Sequence, residues 1–218
     1  MWWRRPTKAD VYANRFRQRR VRDFLAICDE ILADRGRCRV LDLGGAADYW
    51  LGLETLWQDR PLHFTLVNLY AEETPDARFT AIIGDGCRLA EIADGSFDVV
   101  HSNSVIEHVG SWQNKVRMAA EIRRVAPRYY VQTPNYWFPV EPHLRTPLIH
   151  WLPRPLQRSL LMRSAHGFFP KAETLDDADR ILSDSSLLDA VEMAALFPDA
   201  RIERERFGGL VKSFVAIR

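Results

Sequence analysis

The chain is short of the features that mark several functional classes. Cysteine is scarce, three in 218 residues, and Cys28, Cys38 and Cys87 stand far apart. They offer neither a disulfide framework nor the C-x-x-C spacing of a metal ligand set. Small core thiols in a reducing compartment are therefore expected, and no metal site. No apolar run approaches the length of a membrane-spanning helix. The opening Met1-Trp2-Trp3-Arg4-Arg5-Pro6 lacks the apolar core of a secretory signal, which points to a cytoplasmic protein. An excess of one charge is missing too. Lys and Arg number 30 against 29 Asp and Glu, so no global field draws the chain to nucleic acid. Only the stretch from Arg4 to Arg22 is lopsidedly basic. A solvated helix face accounts for it, with docking of the arginines, Trp2 and Trp3 on an anionic membrane surface or on RNA as the alternative.

What is present suits one α/β domain over residues 1–218. The hydrophobic fraction of 47% is enough to cover a sheet on both faces. Residues 9–35 read as a helix with Val11, Phe16, Val21, Phe24, Leu25, Ile27, Ile31 and Leu32 on its buried side, ended by Gly36. Short apolar runs at 39–43, 63–68, 80–83, 97–102 and 129–133 read as strands. Helical segments are expected at 51–57, 112–125 and 186–197. Strands alternating with helices imply a parallel sheet, whose ligands sit beyond the carboxyl ends of the strands. The runs 200–206 and 211–217, joined by Phe207-Gly208-Gly209-Leu210, form an antiparallel hairpin. The whole is a Rossmann-like, mostly parallel seven-stranded sheet with helices on both faces and a C-terminal antiparallel hairpin.

Residues 136–170 break the alternation. Pro139, Pro142, Pro147, Pro153, Pro155 and Pro170 exclude a long regular helix, while the aromatic content is too high for a disordered linker. An ordered insertion that forms an acceptor wall is expected there. Tyr136, Trp137 and Phe138 either stack on a ligand ring or pack the insertion itself.

Ligand chemistry concentrates where strands end. Val40-Leu41-Asp42-Leu43-Gly44-Gly45-Ala46 closes a strand with small residues, so backbone can approach a ligand without a Cβ in the way. That suits the carboxylate end of an amino-acid-like cofactor or a phosphate, and a plain tight turn would look the same. A dinucleotide fingerprint started at Gly44 would place Ala46 and Tyr49 at its second and third glycines, and Tyr49 argues against it.

With Asp42-Leu43-Gly44-Gly45, Gly84-Asp85-Gly86 and Ser102-Asn103-Ser104-Val105-Ile106-Glu107-His108-Val109 in order, the chain resembles the class I S-adenosylmethionine-dependent methyltransferases. Within them it looks like the bacterial small-molecule group called methyltransferase type 11. The resemblance covers roughly residues 36–134 and 186–218. It implies S-adenosyl-L-methionine as cofactor, held by Asp42, Gly44, Gly45, Ala46, Asn68, Asp85, Gly86, Ser102 and Asn103. Ala46 stands where the family's second motif glycine falls, and Asn68 where its ribose-binding acid falls. Tyr12, Phe16 and Arg20 are lid candidates, since the leading helix of this fold covers the cofactor pocket.

Transfer from a sulfonium needs mainly alignment of the nucleophile, helped by a base when the nucleophile is a hydroxyl. Candidate bases are His108, Glu141, His143 and His166. Of these, Glu141 and His143 are the expected catalytic pair, because the carboxylate would orient the imidazole. Their alternative role is to pin the insertion by hydrogen bonds. The expected activity is methyl transfer to an oxygen, or less readily a nitrogen, of a small metabolite or glycan intermediate. A non-catalytic accessory protein that binds S-adenosylmethionine or S-adenosylhomocysteine is the alternative.

Overall fold

The computed structural model describes residues 14–218; Tyr12, Val11 and the basic residues before Asn14 lie outside that range. The described chain divides into two compact units, one of residues up to Asn103 with Ala120–Val131 and Arg218, the other of Ser104–Ala119 with Gln132–Ile217.

The first unit opens with α1 (Arg15–Arg35), whose Asn14 side chain caps the Phe16 N–H and which Gly36 ends in the left-handed region. A glycine carries that φ of 68° without the Cβ penalty other residues meet. Val21, Phe24, Leu25, Ile27, Cys28 and Ile31 are buried along it. Then come β1 (Cys38–Leu43), α2 (Ala47–Leu51), β2 (Leu62–Asn68), β3 (Phe79–Ile83) and β4 (Val99–Asn103). Strand β1 pairs in parallel with β2 and with β4, and β2 with β3. The inner strands are almost wholly buried, as a sheet covered on both faces requires.

The helix expected at 51–57 starts earlier, at Ala47, and gives way to a 3-10 turn at Glu54–Leu56. Two indoles explain the shift. Trp50 and Trp57 are both fully buried, and Trp57 Nε1 donates to the Trp50 carbonyl at 2.8 Å, which folds the segment back on itself.

The remaining elements are α3 (Trp112–Val125), β5 (Arg128–Pro134), β6 (Val140–Glu141), β7 (Thr146–Pro147), α4 (Arg154–Leu161), α5 (Leu175–Ser183), α6 (Ala190–Leu196), β8 (Arg201–Phe207) and β9 (Leu210–Ile217). The sheet has seven strands in the order β3-β2-β1-β4-β5-β9-β8, and β8 and β9 are antiparallel.

The proline-rich segment is ordered and holds one helix its prolines do not forecast, and a second unforecast helix follows it. In α4, Pro155 falls in the first turn, where no intrahelical N–H bond is lost. In α5, Thr174 and Asp177 form a reciprocal capping box. These helices, joined by the Arg158–Asp179 ion pair at 2.7 Å, bury a satellite core of Leu144, Ile149, Leu161, Ala172, Ala178 and Ile181. The last helix begins at Ala190 rather than near Ser186, because Asp189 and Glu192 form its capping box. No helix among the described residues is long and apolar enough to cross a membrane.

The edge of the first unit depends on a buried carboxylate. Asp98 accepts from the Arg39 backbone N–H at 2.8 Å and from the guanidinium groups of Arg39 and Arg35. Burial alone would raise its pKa; the Arg39 hydrogen bonds and the two positive charges outweigh that and lower it. A depressed folded-state pKa contributes stability above the unfolded value, about 3.9, and loses it as pH falls through the folded value. Asp98→Asn is expected to cost roughly 1–3 kcal/mol at pH 7. The gap to wild type should narrow below about pH 4, as read by urea melts across pH.

Candidate functional site

In the first unit, a cleft of about 240 Å³ is lined by Arg17, Asp42, Gly44, Gly45, Ala46, Tyr49, His101 and Asn103. Five of the expected cofactor-site residues thus come together: Asp42, Gly44, Gly45, Ala46 and Asn103. The glycines are there for identifiable reasons. Gly44 has φ of 70°. At Gly45 a Cβ would lie 1.6 Å from Asp42 Oδ2, so no side chain fits beside that carboxylate.

Asp42 is buried with both oxygens bonded. Trp50 Nε1 donates to Oδ2 at 2.7 Å, and His101 Nδ1 lies 2.7 Å from Oδ1. Its part is to brace the turn. The other ring nitrogen of His101, Nε2, is buried and has no partner, although His101 lines the cleft. That ring is boxed by Phe24, Trp50 and Tyr130 with centroids 4.9, 4.9 and 6.0 Å away, so its orientation is set by packing. Residue composition alone did not single out Trp50 or His101; a polar residue inside an apolar strand was the available signal.

Asn68 donates from Nδ2 to the Gly45 carbonyl at 2.6 Å, tying the end of β2 to the glycine turn. Asp85 Oδ1 accepts from the Cys87 N–H at 2.9 Å, closing a turn that holds Gly86. Asp85, Gly86 and Asn68 do not line the cleft itself. Ser102 is fully buried, and its Oγ has no partner. Asn103 Oδ1 accepts from Arg20 Nη1 at 3.1 Å, and Arg17 reaches the cleft wall. The leading helix therefore supplies polar groups to this cleft, Arg20 among the expected lid residues.

In the second unit, a cavity of about 490 Å³ is lined by Tyr136, Glu141, His143, Leu144, His150 and Arg154 among others. Glu141 is 3% exposed. Its Oε1 lies 2.7 Å from His143 Nδ1, and its Oε2 accepts from the Leu144 N–H. Burial works against a charged imidazole, but the hydrogen bond and charge of Glu141, with Glu107 and Asp184, raise the His143 pKa above its ordinary value. His143 Nε2 faces His108 Nε2 at 3.1 Å, and His108 Nδ1 donates to the Asp184 carbonyl at 2.8 Å.

Glu107, not given a role on sequence grounds, belongs to the same cluster. It is fully buried; Thr133 Oγ1 donates to Oε2 at 2.9 Å, while Oε1 has no partner. Burial pushes its carboxyl above the usual range, against the pull of His108 and His143. Ligand atoms of Glu107, His108 and His143 lie within 4.8 Å of one another. The fourth candidate base, His166, lies apart, bonded to Thr146 Oγ1 at 2.7 Å and pinned near Ser164 and the Leu160 carbonyl. Tyr136 lines the cavity, whereas Trp137 is largely exposed and packs edge-on to it.

Residues 59–128 match a family model described as a methyltransferase domain; that is less than half of the chain. No curated protein matches. Among solved structures, the N-terminal domain of EvdMO1, crystallised in the presence of SAH and D-fucose, is 16% identical with a TM-score of 0.53, covering 94% of this chain and 83% of that one. A putative Zn-dependent alcohol dehydrogenase from Rhodobacter sphaeroides is 13% identical with a TM-score of 0.51, covering 83% and 82%. At such identities the likeness is one of fold.

The Asn68 bond makes a counterintuitive prediction about the acid expected at that strand end. Asn68→Asp replaces an N–H donor by an oxygen 2.6 Å from the Gly45 carbonyl. It should destabilise the protein by roughly 1–3 kcal/mol, measured by equilibrium unfolding at pH 7. A variant as stable as wild type would show that the turn does not depend on this bond.

Proposed function

We propose that this chain, a methyltransferase of the S-adenosylmethionine-dependent class I fold, methylates an oxygen of a small acceptor, a metabolite or glycan intermediate. The observation that carries the reading is the Glu141–His143 pair, 2.7 Å apart, on the wall of a cavity large enough for a small molecule.

The cofactor fits the first unit's cleft on its own chemistry. A side-chain-free turn at Gly44 and Gly45, a buried His101 Nε2 without a partner, and the nearby Arg17 and Asn103 suit a ligand with an amino-acid end. Asp42 and Asn68 would shape the turn rather than share their own polar atoms widely. When bound, the cofactor supplies a methyl group already activated on a sulfonium. The protein's task is then alignment and proton removal.

His143 and Glu141 would provide the second. With Nδ1 held by Glu141, the imidazole would take a proton at Nε2, the atom that faces His108 Nε2 at 3.1 Å, and its raised pKa favours that step. His143 would take the hydroxyl proton of the acceptor as its oxygen meets that activated methyl group, with Glu141 holding the imidazole in place. Tyr136 and Arg154 on the same wall would contact the acceptor, and the serines Ser183, Ser185 and Ser186 on that lining would meet its hydroxyls. The EvdMO1 domain, crystallised in the presence of D-fucose, is compatible with a glycan-type acceptor.

The test combines calorimetry with turnover. S-adenosylhomocysteine should bind the wild type and His143→Ala with similar affinity. Turnover on an acceptor found by a hydroxylated-metabolite screen should fall about 10²–10⁴-fold in His143→Ala, the span of a lost general base. Unchanged turnover would reduce the pair to scaffold, and absence of cofactor heat would sink the transferase reading.

A further inference from the structure

We infer that Glu107, His108 and His143 form a binding site for one divalent transition-metal ion of the kind imidazole favours, such as Zn²⁺, Co²⁺ or Ni²⁺. It deepens the reading of the acceptor site and rests on that reading only for what the ion would do, not for whether it binds.

Proton accounting carries the argument. The Asp184 carbonyl can only accept, so His108 Nδ1, 2.8 Å away, must bear a hydrogen. Glu141 takes the Leu144 N–H on one oxygen and faces His143 Nδ1 with the other, so that nitrogen carries a hydrogen as well. In their neutral forms both rings then have bare lone pairs at Nε2, and these two atoms point at each other across 3.1 Å. Two lone pairs at that distance repel unless a positive charge lies between them or beside both.

A shared proton would serve the imidazoles but leaves the third group unanswered. Glu107 Oε1, on a carboxylate with no exposure to solvent, has no hydrogen-bond partner, and a carboxylate oxygen of the same residue lies within 4.8 Å of a ring nitrogen of each histidine. A metal ion answers all three at once. With metal–nitrogen bonds of about 2.0–2.1 Å, an N···N separation of 3.1 Å subtends roughly 100° at the ion, within the range of tetrahedral and five-coordinate sites.

The surroundings are those of a ligand set. Metal-bound histidines generally donate their other N–H to a carboxylate or a backbone carbonyl, which fixes tautomer and ring orientation. His143 does so to Glu141 and His108 to the Asp184 carbonyl. The Glu107 carboxylate is itself oriented by Thr133 Oγ1 at 2.9 Å. Three protein ligands leave at least one position open, as in sites that bind a substrate oxygen. Because His143 lines the cavity, an acceptor hydroxyl could take that position, and the ion would lower its pKa. His143 then acts as ligand, and direct proton uptake by His143 belongs to the ion-free protein.

The full chain, stripped by chelator and dialysed, is titrated calorimetrically with Zn²⁺ and Ni²⁺, and Co²⁺ loading is followed by visible absorption. One ion per chain is expected. Affinity should fall at least tenfold in His108→Ala, in His143→Ala and in Glu107→Gln, and about 10–100-fold in Glu141→Gln, which touches no ion. His108 is partly exposed, so His108→Ala keeps the test open should a buried variant fail to fold. Thermal melts and S-adenosylhomocysteine binding report folding. No bound ion, or an ion whose affinity ignores His108→Ala and His143→Ala, overturns the proposal. Ion binding without cofactor binding would instead refute the transferase reading and leave the metal site standing.

Discussion

The first unit is organised around the need to neutralise one buried carboxylate. Asp42 lies near the end of β1 among the buried Val40, Leu41 and Leu43, and an isolated ionised carboxylate in such a place costs several kcal/mol or more. Two donors meet it, an indole from α2 and an imidazole from β4. Each has structural consequences. Trp50 must lie beneath the turn, which starts α2 directly after Ala46 and draws Trp57 in behind it. His101 must point inward from β4, which requires the aromatic box of Phe24, Trp50 and Tyr130. The residue at 45 must be glycine, since a Cβ would overlap the same carboxylate. The glycine turn is thus a product of the Asp42 cage as much as of ligand approach.

Comparison of the buried acids sharpens what is unusual elsewhere. Asp42 has a donor for each oxygen. Glu141 has His143 and the Leu144 N–H. Asp98 has two guanidinium groups and a backbone N–H. Glu107 alone in this set has an oxygen with nothing opposite it. Buried polar groups are hydrogen-bonded as a rule, so the exception needs an explanation in function or in ion binding. Its position beside two imidazoles with opposed lone pairs makes the second explanation the physical one.

Much of this was legible in the residues. Period-two and buried apolar runs located the seven main strands within a residue or two, because inner strands of a sheet covered on both faces have little freedom in composition. Gly44, Gly45 and Ala46 marked the cleft, and Glu141-Pro142-His143 marked a titratable pair on a braced segment. The misses have physical causes. That the Asn68 amide ties the end of β2 to the Gly45 carbonyl is not readable from a strand-end residue type. Helix α5 was announced by its Thr174 and Asp177 capping box, a signal masked by the surrounding prolines and charges. Glu107 and His108 are adjacent to each other but 35 positions from His143, and no local pattern reports a contact of that range.

The proline-rich segment explains how His143 keeps its place without a regular element beneath it. Loops that hold reactive groups must limit their own conformational freedom, because a displacement of about 1 Å is enough to lose a productive geometry. Here rigidity comes from several independent restraints. Pro142 fixes φ just before His143, and the two-stranded ladder of β6 and β7 closes the loop around it. The His143 carbonyl accepts from the Phe168 N–H at 3.0 Å. Gly167, with φ of 54°, passes so close that a Cβ would lie 2.0 Å from the His143 carbonyl oxygen. Leu144, next in the chain, anchors in the satellite core while its N–H binds Glu141. The backbone on either side of the imidazole is therefore set by prolines, a glycine contact and a small core of its own. Proline density there is a means of fixing a side chain, which is why a segment without a long helix or strand can carry the site.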